Sequence, residues 1–242
     1  MTGSGRRRAL GVVAGALLAA GALLVAAGCA GSRHAAHERN PVVFVHGWAS
    51  NPSVWGAMAE RFRADGWADT DLVLFGYDTS RPNAETAERL AARVDAVLAE
   101  TGAARVDLVT HSMGALPARL YARTVGAARV DALVSLAGPN HGTVTALVCP
   151  EPSCREMWPG SAFLRALNAD DETPGAVRYA TWRSPCDLVV VPQSSPALDG
   201  APDTITPCLL HRDLPRSERV YAEVRDWIAA NERGPHAWSA AE

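Results

Sequence analysis

From Pro41 onward the chain alternates short, unbroken apolar runs with longer stretches whose apolar residues return every three or four positions. The runs at 42–45, 72–75, 106–109, 132–137 and 177–182 are continuous and rich in β-branched residues, as strands covered on both faces are. A last strand is predicted near 204–210. Between them, 52–66 carries Val54, Met58 and Phe62 at a spacing of four, and about 84–100 places Ala87, Leu90, Ala91, Val94, Val97 and Leu98 on one helical face. Gly102 closes that helix, and Gly126 closes another that follows residue 112. Ser161 is placed to cap a helix carrying Phe163, Leu164 and Leu167, and Val220, Val224, Trp227 and Ile228 mark a final amphipathic helix. Residues 138–160, rich in Pro, Gly and Cys, read as an excursion, and no internal repeat is visible. The alternation predicts an α/β architecture, a mostly parallel sheet of about six strands flanked by helices.

Composition narrows this picture. A chain of 242 residues with 48% hydrophobic content encloses one sizeable core and leaves little for a second. Every basic side chain is Arg and the formal charge is −3, so no basic stripe is available to hold phosphates and no nucleic-acid partner is expected. The first 28 residues have the build of an export signal: Arg6, Arg7 and Arg8, an apolar stretch from 9 to 27, then small residues before Cys29. Small residues directly before a Cys point to lipidation of Cys29 and anchoring at the outer membrane face. Simple cleavage and secretion, or a retained membrane helix, remain open. Residues 29–40 read as a flexible tether, 41–231 as the folded domain and 232–242 as a tail.

Export matters for the cysteines. With Cys29 set aside, Cys149, Cys154, Cys186 and Cys208 can pair fully in an oxidising compartment. Four cysteines allow three connectivities. The favoured one is a short clip, Cys149 with Cys154, plus Cys186 with Cys208; free thiols or a zinc site are the alternatives, the latter disfavoured by spacing and the lack of clustered His.

The strongest chemical signal is Thr110-His111-Ser112-Met113-Gly114, set between a buried strand and a helix. Such a tight turn exposes a serine hydroxyl to a base, as a nucleophile elbow does. Gly114 meets the need for a small neighbour, whereas Thr110 stands where a Gly is usual. Upstream, His46-Gly47-Trp48 follows the first strand, where the backbone N–H of Trp48, with that of Met113, is placed to stabilise an oxyanion. His46 itself is expected to hold the loop by hydrogen bonding.

Residues 43–48, 110–114, Asp187-Leu188-Val189-Val190-Val191-Pro192 and His211, taken in this order, resemble the small bacterial triacylglycerol lipases and esterases of the lipase class 2 family. The likeness spans roughly 41–230. It implies an α/β-hydrolase fold with little or no lid and action on acyl esters, without fixing chain length. The chain order of that superfamily, Ser then acid then His, selects Asp187 over Asp199 and Asp203, and His211 over His141 and His236. The expected triad is Ser112, Asp187 and His211. No cofactor or metal is expected; Asp213 with Asp170 and Asp171 is a faint calcium pattern, better read as a solvated acid near a helix start. A monomer acting on a small-molecule or lipid ester is the resulting expectation. Thioesterase, phospholipase and cutinase-like activities share the chemistry, and a non-catalytic surface lipoprotein binding acyl ligands is the rival from another class.

Overall fold

A computed structural model describes residues 39–230. The export signal, Cys29, all but the last two residues of the tether, and the tail lie outside the described residues. Six strands form one sheet, β1 (Val42–Val45), β2 (Leu72–Phe75), β3 (Val106–His111), β4 (Val130–Leu136), β5 (Arg178–Arg183) and β6 (Asp203–Ile205). Their spatial order is β2-β1-β3-β4-β5-β6, and every neighbouring pair is parallel. Parallel neighbours require crossovers, and α1 (Gly56–Ala64, led by a 3-10 turn from Pro52), α2 (Asn83–Thr101), α3 (Ala115–Tyr121), α4 (Pro152–Glu156) and α5 (Ala162–Leu167) supply them up to β5; residues 184–202 connect β5 to β6 without a helix, and α6 (Glu218–Ala229) follows the last strand. Among the described residues no helix is long and apolar enough to cross a membrane.

The twofold period of the strands divides the core. Val42 and Phe44 point to one face, where Phe62 of α1 and Val220, Tyr221 and Val224 of α6 cover them. Val43 and Val45 point to the other, against Leu90, Val94 and Val97 of α2 and Ala118 of α3. Both sides are buried, which explains why β1, β3 and β4 read as unbroken apolar runs. Phe44, fully buried and in edge contact with Phe62 at 5.7 Å, anchors the first face; truncating such a ring costs about 3–5 kcal/mol. Where the β3–β4 register shifts at Val106 and Asp107, the buried Asp107 carboxylate accepts the amide of Ala132 at 3.0 Å and closes the gap in the ladder.

The final strand is shorter than the sequence predicts. Pro207 has no N–H for a ladder, Cys208 is bonded to Cys186, and Leu209 turns both backbone groups to Ser184, whose Oγ accepts from its amide at 2.9 Å and donates to its carbonyl at 2.7 Å. Residues 206–210 therefore leave the sheet after Ile205 and carry His211 back over its top. β3 in turn runs two residues further than the apolar run, to His111.

Candidate active site

The sheet order reverses direction between β1 and β3: the chain leaves β1 toward β2 and leaves β3 toward β4. Crevices beyond the carboxyl ends of strands at such a reversal are where open parallel sheets bind ligands. A cleft of about 560 Å³ opens there, lined by Gly47 and Trp48 after β1, by His111 and Ser112 after β3, and by His211.

Ser112 occupies the turn from β3 into the following helix with φ of +56°, a left-handed conformation that costs a non-glycine residue of order 1–3 kcal/mol. Close packing holds it there. A Cβ on Gly114 would lie 2.5 Å from the carbonyl oxygens of both Val45 and His46, so only glycine lets the turn nest against the end of β1. A Cβ on Gly47 would lie 2.7 Å from Ser112 Cβ and 3.1 Å from its Oγ, which sets the 46–48 loop directly against the hydroxyl. Thr110 fits where glycine is usual because its side chain turns to β4, its Oγ1 donating to the Val134 carbonyl at 2.8 Å.

Three segments distant in sequence meet at this point. His211 opens a 3-10 turn (His211–Arg216), and its Nδ1 lies 2.7 Å from Asp187 Oδ2. The other carboxylate oxygen accepts the amides of Val189 at 2.8 Å and Val190 at 3.0 Å. Burial pushes the Asp187 carboxyl up, but the hydrogen bond and charge of His211, with the two amides, outweigh it and leave it below the usual range. A charged carboxylate on Nδ1 fixes the tautomer in which that nitrogen carries the proton and Nε2 is free to accept one. Ser112 and His211 face the same cleft, with no hydrogen bond between them among the described residues.

The other candidates are engaged elsewhere. Asp203 pairs with Arg183 at 2.7 Å, and His141 bonds Glu172 at 2.8 Å and the Ser195 carbonyl at 3.1 Å. Asp213 sits 3.8 Å from Arg212, and Asp171 caps the amide of Thr173 at 2.9 Å. Asp199 lies on the surface and His236 falls outside the described residues. Cys149, Glu151 and Cys154 come within ligand distance of a common point, but the two sulfurs are bonded to each other.

Two disulfides, Cys149–Cys154 and Cys186–Cys208, brace the loops around the cleft. The second joins the residue before Asp187 to the segment before His211, so carboxylate and imidazole share one covalent frame. Trp48 reaches across the cleft, its indole N–H donating to Glu151 within the Cys149–Cys154 loop at 2.5 Å. Met113 is buried at the start of the helical turn, and His46 is buried beneath the loop, stacked on Tyr77 at 4.4 Å and donating from Nδ1 to the Gly47 carbonyl at 3.0 Å.

His111 enters the sequence pattern only as a neighbour of Ser112. His111 is buried at the base of the cleft, its ring centroid 4.6 Å from that of His211 and its Nε2 donating to the His211 carbonyl at 3.0 Å. Burial, then the nearby imidazole of His211, push its pKa down to about 3, so it is neutral and holds the backbone of residue 211 in place. Its position next to Ser112 was the only clue in the sequence.

The family profile described as lipase (class 2) matches residues 39–197. The fold is similar to that of Aspergillus fumigatus lipase B, with a TM-score of 0.65 and 20% identity over 79% of this chain and 52% of the other. It is similar to Bacillus licheniformis lipase BlEst2 in its mature form, with a TM-score of 0.69 and 15% identity over 81% of this chain and 94% of the other. It is also similar to an α/β-hydrolase from a lagoon-sediment metagenome of Mar Chica, Morocco, with a TM-score of 0.57 and 16% identity over 79% and 91%. These likenesses show a shared α/β-hydrolase fold, and the chain spans about half the length of the Aspergillus enzyme. No curated protein matches the chain.

Proposed function

The chain belongs to the class 2 lipase family, and from that premise we propose that it is a serine hydrolase, a lipase or esterase, cleaving carboxylic esters through an acyl-enzyme on Ser112. The observation that carries the reading is the His211–Asp187 pair at 2.7 Å in the same cleft as a serine held at φ +56°. In this reading His211 Nε2 takes the Ser112 proton as Oγ attacks the ester carbonyl. The charge that builds on the carbonyl oxygen is met by the N–H groups of Trp48 and Met113. Collapse of the tetrahedral adduct breaks the bond to the alcohol, which leaves with the proton from His211. Water, deprotonated by the same imidazole, then releases the acid. Asp187 orients the ring and stabilises its cationic form throughout. Contacts between nucleophile and base are often long in free enzymes and tighten once substrate is bound.

The supporting features extend to location. Two disulfides suit an oxidising, extracellular setting. We further propose that residues 41–231 form the working domain, acting as a monomer, and that Cys29 carries the lipid anchoring it outside the cell; intact mass of protein from the native host would show the added acyl groups. Hydrolysis of p-nitrophenyl esters tests the activity: the chain should turn them over and Ser112→Ala should reduce the rate to near background, whereas full activity of that variant would refute the reading.

A further inference from the structure

The cleft around Ser112 has two chemically different walls. One is apolar: Val148 and Leu188 at the mouth, with Ala146, Met157 and Val190 deeper in. Its two strips of chain are knitted together, Thr143 and Thr145 both donating to the Val189 carbonyl and Val144 N–H to the Val191 carbonyl. The other wall carries the polar and cationic groups, Ser50, Asn51 and Ser53 with the exposed Arg212 and Arg216, beside the apolar Ala49 and Val54. Those two strips are also joined, since Val54 and Leu214 pack into one cluster and Arg61 Nη1 donates to the Arg216 carbonyl at 2.9 Å.

Among the described residues no carboxylate lines this cleft. Arg212 has a loose contact with Asp213 at 3.8 Å, and the Arg216 guanidinium has no ion pair among the described residues. The Asp187 carboxylate is buried behind His211, and Glu151 is engaged by Trp48 on the far side. The chain as a whole is acidic, so this pair of cations is a local feature. Its charge is felt within the site, since Arg216 contributes to the depressed pKa of the buried His111.

An ester lying across Ser112 places its acyl and alcohol parts on opposite sides of the carbonyl, and the two walls sort them. A triacylglycerol would lay further alkyl chains over two guanidinium groups and strip water from them without compensation, which is unfavourable. An anionic alcohol part would instead gain charge-assisted hydrogen bonds. Resting on the reading of Ser112 as nucleophile, we propose that the natural substrate is a singly acylated ester whose alcohol part bears an anion, a phosphate or a carboxylate, held by Arg212 and Arg216 while the acyl chain lies on the Val148–Leu188 wall.

The test compares kcat/KM of the full chain on soluble esters sharing one acyl group: 1-butyrylglycerol, 1-butyrylglycerol 3-phosphate and butyryl-lactate. At low salt at least one anionic ester should exceed the neutral one by about tenfold, the worth of one charge-assisted hydrogen bond. That ratio should shrink toward one in 1 M salt, roughly where the Debye length falls to 3 Å, and in Arg212→Gln/Arg216→Gln. The salt series needs no variant, so a misfolded variant does not remove the test. Equal rates on all three esters, or a ratio indifferent to salt, overturn this inference and leave the hydrolase reading standing. Turnover of none of them overturns both. A dodecanoyl set separates the sources: a retained ratio with higher kcat/KM assigns a lipid headgroup, and loss of turnover assigns a soluble phosphate or carboxylate ester.

Discussion

Gly47→Ala applies the smallest possible perturbation to the contact between the 46–48 loop and Ser112. The added methyl would stand 2.7 Å from Ser112 Cβ and 3.1 Å from its Oγ, with the His111 carbonyl at 3.2 Å, whereas ordinary contact begins at 3.4 Å. Relief therefore requires the loop and the elbow to part by about 0.7 Å, the gap between 2.7 and 3.4 Å. The elbow is the stiffer partner, because β3 is paired along both edges and Met113, next to Ser112, is fully buried. The loop must move, carrying the Trp48 amide away from the forming oxyanion. Misplacement on the order of 1 Å costs about a hundredfold in rate, so kcat on p-nitrophenyl butyrate should fall by about that factor. Thermal melting should show a loss of no more than about 1–3 kcal/mol, the usual cost of overpacking. Gly56→Ala is the control, since its Cβ would meet nothing within 4 Å and it stands at the start of α1. Full activity of Gly47→Ala would mean that this loop does not face the reacting hydroxyl, and the oxyanion assignment would go with it.

Asp187→Asn keeps the shape of the acid but removes the charge that fixes the His211 tautomer, and kcat should drop by about 10²–10⁴ with the fold retained by circular dichroism; a drop under threefold would remove Asp187 from the mechanism. Replacing Cys186 and Cys208 together by Ser opens a link spanning 22 positions, for which chain entropy gives about 3 kcal/mol of lost stability in urea titration; an unchanged midpoint would count against that role. His111→Phe tests the buried imidazole. Unfolded, it takes up a proton below its ordinary pKa of 6.5, but folded only below about 3, so within that window the unfolded state binds the extra proton and stability falls as pH falls. Unfolding free energies from urea titration between pH 6 and pH 4 should therefore decline less steeply in the variant, by up to about 1.4 kcal/mol per pH unit, and identical slopes would show that His111 titrates normally.

Strands β1, β2 and β4 were legible because a strand buried on both faces must be apolar throughout, and α2 because its apolar stripe recurs on one face from Ala87 to Leu98. The end of the sheet was not. The apolar residues of 204–210 look like a strand, but they are held by Ser184 and by Cys186, more than twenty positions away. The same distinction runs through the cleft. The turn that gives Asp187 two amide donors is local, spanning 187–190, while Trp48, Ser112 and His211 line one cleft and Asp187 bonds His211 from behind it. The bond from Trp48 to Glu151 crosses 103 positions, and the contrast between the two walls depends on which loops fold over which. No periodicity encodes such contacts. His111 adjoined the nucleophile in the sequence, yet its role depends on a carbonyl one hundred positions away.

The central claim is that the hydroxyl of Ser112 is activated by His211. A fluorophosphonate reagent reports this directly, since it reacts with a serine whose proton is taken by a neighbouring base and leaves solvated hydroxyls untouched. Incubated with the full chain and read by peptide mass spectrometry, it should place one adduct on Ser112, with the rate of labelling falling sharply in His211→Ala. An unlabelled protein, an adduct on another serine, or labelling as fast without the imidazole would contradict the account.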